Sequence, residues 1–306
     1  MRFAVESWSP EYGAPFEDPG EDDGEPAKVD VTIEMPADAW RPMTPRMGPA
    51  NSVLFIDGVQ QIDARVWSMG EDGLSRPGHC VSMGAGSVRC DGSARVEQVE
   101  IRRAMLGTAD FGDIDCRPGV MYTGLAVADL TPAGLDTALR RHREDLEVRV
   151  AHAAGSADLV VVDGHVRQRE TIAGAVGYLK THQRMYLEQP QLGVVGQLAA
   201  GQRTPVFLIA EAWDRYSWYL KLPGGEGHPW AGVVRCEASA SLRPADAIAF
   251  ADLVSATLPR FASAPYKDPR APQNLYPIAA LERELRRRLG DRTLLLRSLQ
   301  KASHLS

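Results

Sequence analysis

Asp57 and Asp163 each end a run of apolar residues, and each precedes a glycine: "VLFIDG" at 53–58 and "LVVVDG" at 159–164. Carboxylates where buried strands emerge occupy the usual ligand position of an open α/β sheet. Hard divalent cations take oxygen donors, and two-metal phosphoryl chemistry draws several carboxylates from different elements to one place. The adjacent glycine keeps the backbone slim where a metal or substrate must approach. Asp-Gly is also a strong hairpin signal, and at Asp57 the turn and the ligand reading stand level. Asp163 follows a more apolar run with no evident hairpin partner, which weakens the turn reading there.

A third ligand should come from a helix packed beside these strands. Thr131-Pro132 gives an N-cap followed by proline in the first turn. Leu135, Leu139, Leu146, Val150 and Ala153 then share one face of a helix over 132–153, ended by Gly155. Of the acids Glu144, Asp145 and Glu147, Glu147 lies at the edge of that face and Glu144 points nearly opposite. Glu147 is therefore the candidate. The competing reading is a solvated face of charge pairs four residues apart.

These side chains need a frame. "VDVTIEM" at 29–35 alternates as a half-buried strand does. "SVLFID" is a strand, with "QIDARVW" as its hairpin partner beyond the Asp-Gly turn. "GHCVSMGAGSVRC" and "ARVEQVEIRRAML" extend an antiparallel set. "ADLVVVDG" is a strand covered on both faces. A helix through "GAVGYLKTHQRMYL" follows, then strands in "TPVFLIA", "WYLKL" and "WAGVVRCEAS". Helices at 244–258 and 277–289, the second stopped by Gly290, finish the chain. The order predicts an α/β fold: a mixed sheet flanked by helices, with an acidic, flexible N-terminal segment.

The 306 residues are 44% hydrophobic, enough for a substantial core, and the net charge is −6. Residues 1–50 hold eleven acids against four bases, a net of −7, which leaves +1 for the remainder. The global charge therefore says little about a binding surface. The division follows: residues 1–50 as an acidic, partly mobile segment ("GAPFEDPGEDDGEPAK" at 13–28 above all), and 51–306 as the working domain. The cysteines Cys80, Cys90, Cys116 and Cys236 form no CxxC pair, which argues against a zinc site and suits a reducing compartment. "GAGS" lacks the dinucleotide spacing, no phosphate-loop motif occurs, and the histidines form no HxH or HExxH pair. No apolar run reaches transmembrane length and no signal peptide opens the chain, so a cytoplasmic protein without a membrane partner is expected.

"AEAWDRYSWYLKLPG" interleaves Arg215, Tyr216 and Trp218 with further aromatics and bases, a composition suited to single-stranded nucleic acid because every base has a face to stack on. Core packing makes the same cluster, and makes it more often. Lys180 and His182 follow Asp163 closely; Lys180 reads as a phosphate or water holder, or as a surface lysine. His165, two residues past Asp163, is the one histidine near the carboxylates. Arg283, Arg286, Arg287, Arg288 and Arg292 would neutralise phosphates or form a solvated helix face.

The chain resembles the NurA nuclease family. The likeness rests on "FIDG", on "LEVRVAHAAGSADLVVVDG" with its helical Glu ahead of a strand-end Asp-Gly, on "WYLKL" followed by "VVRCE", and on "NLYP" opening a last helix, from about Ser52 to Leu289. The resemblance implies an RNase H-like fold and a Mn2+- or Mg2+-dependent nuclease acting on single-stranded DNA and DNA ends. It implies a homodimer docked on a HerA-type hexameric ATPase translocase in end resection and break repair. Asp57, Glu147 and Asp163 would be the metal ligands, with Tyr276 in the family's tyrosine-proline. Where the family has a histidine eight residues past the tyrosine, this chain has Glu284, a possible ligand in its own right, with Glu282 and Asp268 as substitutes.

The expectation is two-metal hydrolysis of DNA phosphodiesters by Asp57, Glu147 and Asp163. Two rivals belong to other classes: a catalytically inactive RNase H-like adaptor that binds DNA or a translocase, and a carboxylate-pair hydrolase of the glycosidase kind.

Overall fold

The computed structural model describes residues 27–69, 74–109, 112–117, 119–182, 184–225, 228 and 230–303. The acidic stretch 13–26 lies outside them. Along the chain run β1 (Lys28–Asp30), β2 (Val53–Met69), β3 (Ser75–Cys90), β4 (Ala94–Gly107), β5 (Ile114–Arg117), β6 (Val120–Ala126), α1 (Pro132–Ala154), β7 (Leu159–Asp163) and β8 (Ala175–Leu179). Then come α2 (Gln191–Val195), β9 (Phe207–Ala210), β10 (Arg215–Lys221), β11 (Val233–Ser239), α3 (Pro244–Thr257), α4 (Tyr276–Leu289) and α5 (Arg292–Ser303). The fold is mixed α/β, with parallel and antiparallel strand pairs and flanking helices. No helix among the described residues is long and apolar enough to cross a membrane.

The chain divides into two compact units. The first comprises the described residues up to Phe55, Arg89–Arg95 and Ser156–Ala279. Its strands run in the order β1-β9-β10-β11-β8-β7, followed by the opening residues of β2. All neighbours from β1 to β8 pair antiparallel, and β8 and β7 pair parallel. Leu159, Val160, Val161 and Val162 of β7 are buried, as a strand covered on both faces requires. Phe207, Ile209, Tyr219 and Val233 belong to a core cluster with Leu187, Val195 and Leu198.

The boundary expected at residue 50 does not separate a segment from a domain. β1 pairs with β9, and Met43 bridges Arg203 by backbone hydrogen bonds in both directions. The buried Arg203 guanidinium reaches Glu34 at 2.7 Å and Asp252 at 2.7 Å, tying residues 27–50 to α3. The strand expected over 29–35 stops at Asp30, where Asp30 Oδ1 accepts from the backbone and hydroxyl of Thr32 and turns the chain.

The second unit comprises Ile56–Val88, Val96–Gly155 and Ala280–Ser306, with strand order β2-β3-β4-β6-β5. β4 and β6 are parallel, β6 and β5 antiparallel. β2 corrects the sequence reading: it runs unbroken for 17 residues, so Asp57-Gly58 is mid-strand and no hairpin turn forms there. α1 matches its prediction closely. Thr131 Oγ1 accepts from Gly134 N at 3.1 Å, and Gly155, at φ +77°, ends the helix. α5 was not read from the sequence. Its Leu295 and Leu299 join Cys80, Met105, Val120 and Tyr122 in a second core cluster. β5, β6 and α2 were likewise unassigned, and the helix expected over 174–187 is replaced at its start by β8.

Candidate functional site

In the second unit, Asp57 is buried on β2, and its Oδ1 accepts from the Gly58 amide at 2.8 Å. Gly58 is where α1 lies closest. A Cβ added there would stand 2.4 Å from Glu147 Oε1 and 3.0 Å from Arg143 Cγ. The glycine is thus a cradle for the Glu147 carboxylate, one residue past Asp57. Glu147 is 1% exposed, so it lies inside the packed face of α1 and not at its edge. Arg143, one turn earlier, sets its Nε 3.6 Å from Glu147 Oε1 and donates from Nη1 to Gly58 O at 3.4 Å. Glu144, expected in solvent, is only partly exposed and lies 3.7 Å from Arg143.

In the first unit, Asp163 closes β7. Gly164, at φ +108°, takes the chain away, its amide donating to Tyr178 O at 2.9 Å. The parallel partner β8 sets Tyr178 opposite Asp163. This register requires glycine at 177, since a Cβ would fall 2.6 Å from Val166 N and 2.8 Å from Gly164 O. Lys180, just beyond β8, donates to Asp163 Oδ2 at 2.7 Å. Its side chain is 15% exposed, and that of Asp163 19%.

Within the second unit, Asp57 and Glu147 offer the carboxylate oxygens a hard cation takes, and Gly58 leaves a place for one of them that any side chain would fill. Among the described residues, no group of three His, Cys, Asp or Glu side chains is gathered as a metal would need.

At the far end, Tyr276 opens α4, and its hydroxyl accepts from Ala264 N at 3.1 Å. Lys267 Nζ stands 5.2 Å from its ring centroid. Glu284 is engaged on the surface of α4 with Arg287 at 2.8 Å and Arg288 at 2.6 Å. Hydrogen bonds from Arg287 and Arg288 bring its carboxyl down to about 2. Glu282 pairs with Arg286 at 2.9 Å. Arg286, Arg287 and Arg288 are thus paired with glutamates of their own helix, opposite the buried Ile278, Leu281, Leu285 and Leu289.

The proposed nucleic-acid cluster is corrected. Arg215, Tyr216 and Trp218 lie on β10, which is flanked by β9 and β11, and all three are buried. Side chains packed on both faces of an interior strand offer nothing to a base. His182 is 2% exposed. Its Nε2 lies 3.1 Å from Val233 O, and its ring packs against Tyr219 and Trp230 at 5.6 and 5.0 Å. Burial brings its imidazole down to about 4.

What Arg215 does instead is hold Glu237. That carboxylate is fully buried and meets Arg215 Nε at 2.9 Å, Arg235 Nη1 at 2.9 Å and His165 Nδ1 at 3.0 Å. Burial alone would raise its pKa; Arg235, His165 and Arg215 together outweigh that and bring it down to about 2. The Arg235 guanidinium also lies 4.7 Å from the Tyr186 ring centroid. Glu237 went unread, although a charged pair inside the apolar run "VVRCE" is itself a signal: such groups, if buried, must be paired.

No protein-family model matches the chain, and no curated protein matches it.

Proposed function

We propose that the chain is a divalent-metal-dependent DNA nuclease of the NurA kind, with an RNase H-like arrangement of its carboxylates. The observation that carries the reading is the Glu147 carboxylate, buried on α1 and seated over Gly58 beside Asp57. Burying a carboxylate costs several kcal/mol unless charge and hydrogen bonds offset it, and Arg143, 3.6 Å from Oε1, supplies one such charge here. The chain order of strand Asp57, helix Glu147 and strand Asp163 supports the same reading.

The family resemblance assigns Mn2+ or Mg2+ to Asp57 and Glu147, which lie in the second unit, and to Asp163, which lies in the first. Bound there, the ions supply Lewis acidity to the phosphodiester and to the attacking water. The reaction is in-line: water adds to phosphorus and the 3′ oxygen departs with a proton. Lys180, held at Asp163, adds positive charge where the phosphate charge accumulates. Single-stranded DNA and DNA ends as substrates, a HerA-type translocase as partner, a homodimer and a cytoplasmic setting extend the proposal through the family resemblance.

The test is cleavage of end-labelled single-stranded DNA with Mn2+ by the wild type and by Asp57→Ala, Glu147→Ala and Asp163→Ala. Each variant should lose at least a hundredfold in rate. Equal rates in wild type and variants would remove the catalytic reading. The inactive adaptor is kept as a second reading on one observation: Glu284 stands where the family has histidine and is engaged by Arg287 and Arg288. DNA retention without Mn2+-dependent turnover in the same assay would select it.

A further inference from the structure

Lys180 has a second partner besides Asp163. Its ammonium also donates to Asn274 Oδ1 at 3.1 Å. Asn274 is fully buried in the chain just before α4, and its Nδ2 donates to Asp268 Oδ2 at 2.7 Å. Asp268 is buried too, and its other oxygen accepts from Arg270 N at 2.7 Å. Tyr178, opposite Asp163 in the β7–β8 register, donates to Gln273 O at 2.6 Å and fastens the same stretch. All of these residues belong to one compact unit.

The chain of donors and acceptors has one consistent direction. An ammonium only donates, a carboxylate only accepts, and an amide between them must turn its oxygen to the lysine and its nitrogen to the aspartate. The opposite setting would face donor against donor and acceptor against acceptor. Asp268 therefore fixes the Asn274 amide, and Asn274 fixes the ammonium. A cation that approaches Asp163 Oδ2 meets Lys180 as a competitor for the same oxygen, and Asn274 gives the displaced ammonium a place to stay.

We infer that Asn274 and Asp268 are positioning residues for Lys180, and that Lys180 competes with a divalent ion for Asp163 and is kept beside it by Asn274. The inference rests on the nuclease reading above and deepens it. Lys180 follows Asp163 closely in sequence, but nothing in the spacing joins Asn274 and Asp268 to it, since they lie on a loop about ninety residues further on.

The full chain is compared with Lys180→Met, Lys180→Arg, Asn274→Ala and the double variant Lys180→Met/Asn274→Ala. Mn2+ binding is read from the paramagnetic resonance of free Mn2+, and cleavage of labelled single-stranded DNA gives kcat and KM. Lys180→Met should bind Mn2+ at least fivefold tighter while losing tenfold or more in kcat, and Lys180→Arg should recover wild-type Mn2+ affinity. Asn274→Ala should lower kcat in the wild-type background and have no further effect once Lys180 is methionine, because its role runs through that ammonium. Asp268→Asn, which keeps shape and an acceptor, repeats the comparison if the buried Asn274→Ala fails to fold. Unchanged Mn2+ affinity in Lys180→Met, or equal losses from Asn274→Ala in both backgrounds, overturns the inference alone. A wild type that neither binds Mn2+ nor cleaves DNA overturns the nuclease reading and the inference with it.

Discussion

Gly58 and Glu147 fit one another as socket and plug: the place where a Cβ of residue 58 would sit is 2.4 Å from Glu147 Oε1. The contact is with a side-chain tip, and a tip can move. Gly58→Ala should therefore cost only about 1–2 kcal/mol of stability by urea unfolding, an ordinary overpacking penalty. Its larger effect should be on Mn2+-dependent cleavage, which is expected to fall more than tenfold as the carboxylate is pushed aside. At Gly177 the obstacle is backbone at 2.6 and 2.8 Å, so Gly177→Ala should cost distinctly more stability. Full activity in folded Gly58→Ala would detach Glu147 from the chemistry.

The contrast between the two Asp-Gly pairs shows where local sequence stops being informative. "LVVVDG" reads correctly because its apolar run and its glycine act within the same six residues. "FIDG" carries the same letters, yet it runs on as strand, since the pairing of β2 and the packing of α1 override the turn preference of Asp-Gly. α1 was legible because Thr131, Pro132 and Gly155 cap it with their own side chains or conformations. The Glu237 site was not, because its partners His165, Arg215 and Arg235 come from three separate segments. "RYSWYLK" was ambiguous for a related reason: aromatics and arginines suit a base-stacking face and a buried ion network alike, and only the neighbouring strands decide.

Trp218 tests that decision. It is fully buried, so Trp218→Leu should lower stability by about 3 kcal/mol in urea or guanidinium unfolding. The affinity of the folded variant for single-stranded DNA should match that of the wild type. A stacking residue would behave in the reverse way, losing about 1–3 kcal/mol of DNA binding with little change in stability. That reverse result would restore the strand as a nucleic-acid surface.

His182 should set an acid limb of stability. Its ring is protonated in the unfolded chain near pH 6.5 but in the folded protein only near about 4, because burial disfavours the charge. Between those values the unfolded chain binds more protons, so stability is full above about pH 6.5 and falls as the pH drops toward 4. The loss by pH 4.5 should be about 2–3 kcal/mol. His182→Gln cannot titrate and can still donate to Val233 O. Unfolding midpoints measured at pH 7.5 and 4.5 should therefore converge for the variant relative to the wild type. Parallel pH profiles would refute the assignment.

Arg203 is 1% exposed and lies between Glu34 and Asp252, both themselves nearly covered. Its charge state is secure, since the two carboxylates outweigh the penalty of burial and raise its pKa. Arg203→Met keeps the stem but leaves two buried carboxylates facing one another without a cation. Breaking such a group from one side typically costs about 3–5 kcal/mol. The damage should also be local, because Glu34 Oε2 accepts from Val206 N at 2.8 Å and Met43 pairs with the Arg203 backbone. Limited proteolysis should accordingly cut Arg203→Met within residues 27–50 well before the wild type. The triple variant Arg203→Met/Glu34→Gln/Asp252→Asn should regain most of the resistance, because it removes the uncompensated charges and keeps their shapes. If the triple variant is as labile as the single one, the guanidinium holds that stretch by packing and not by charge.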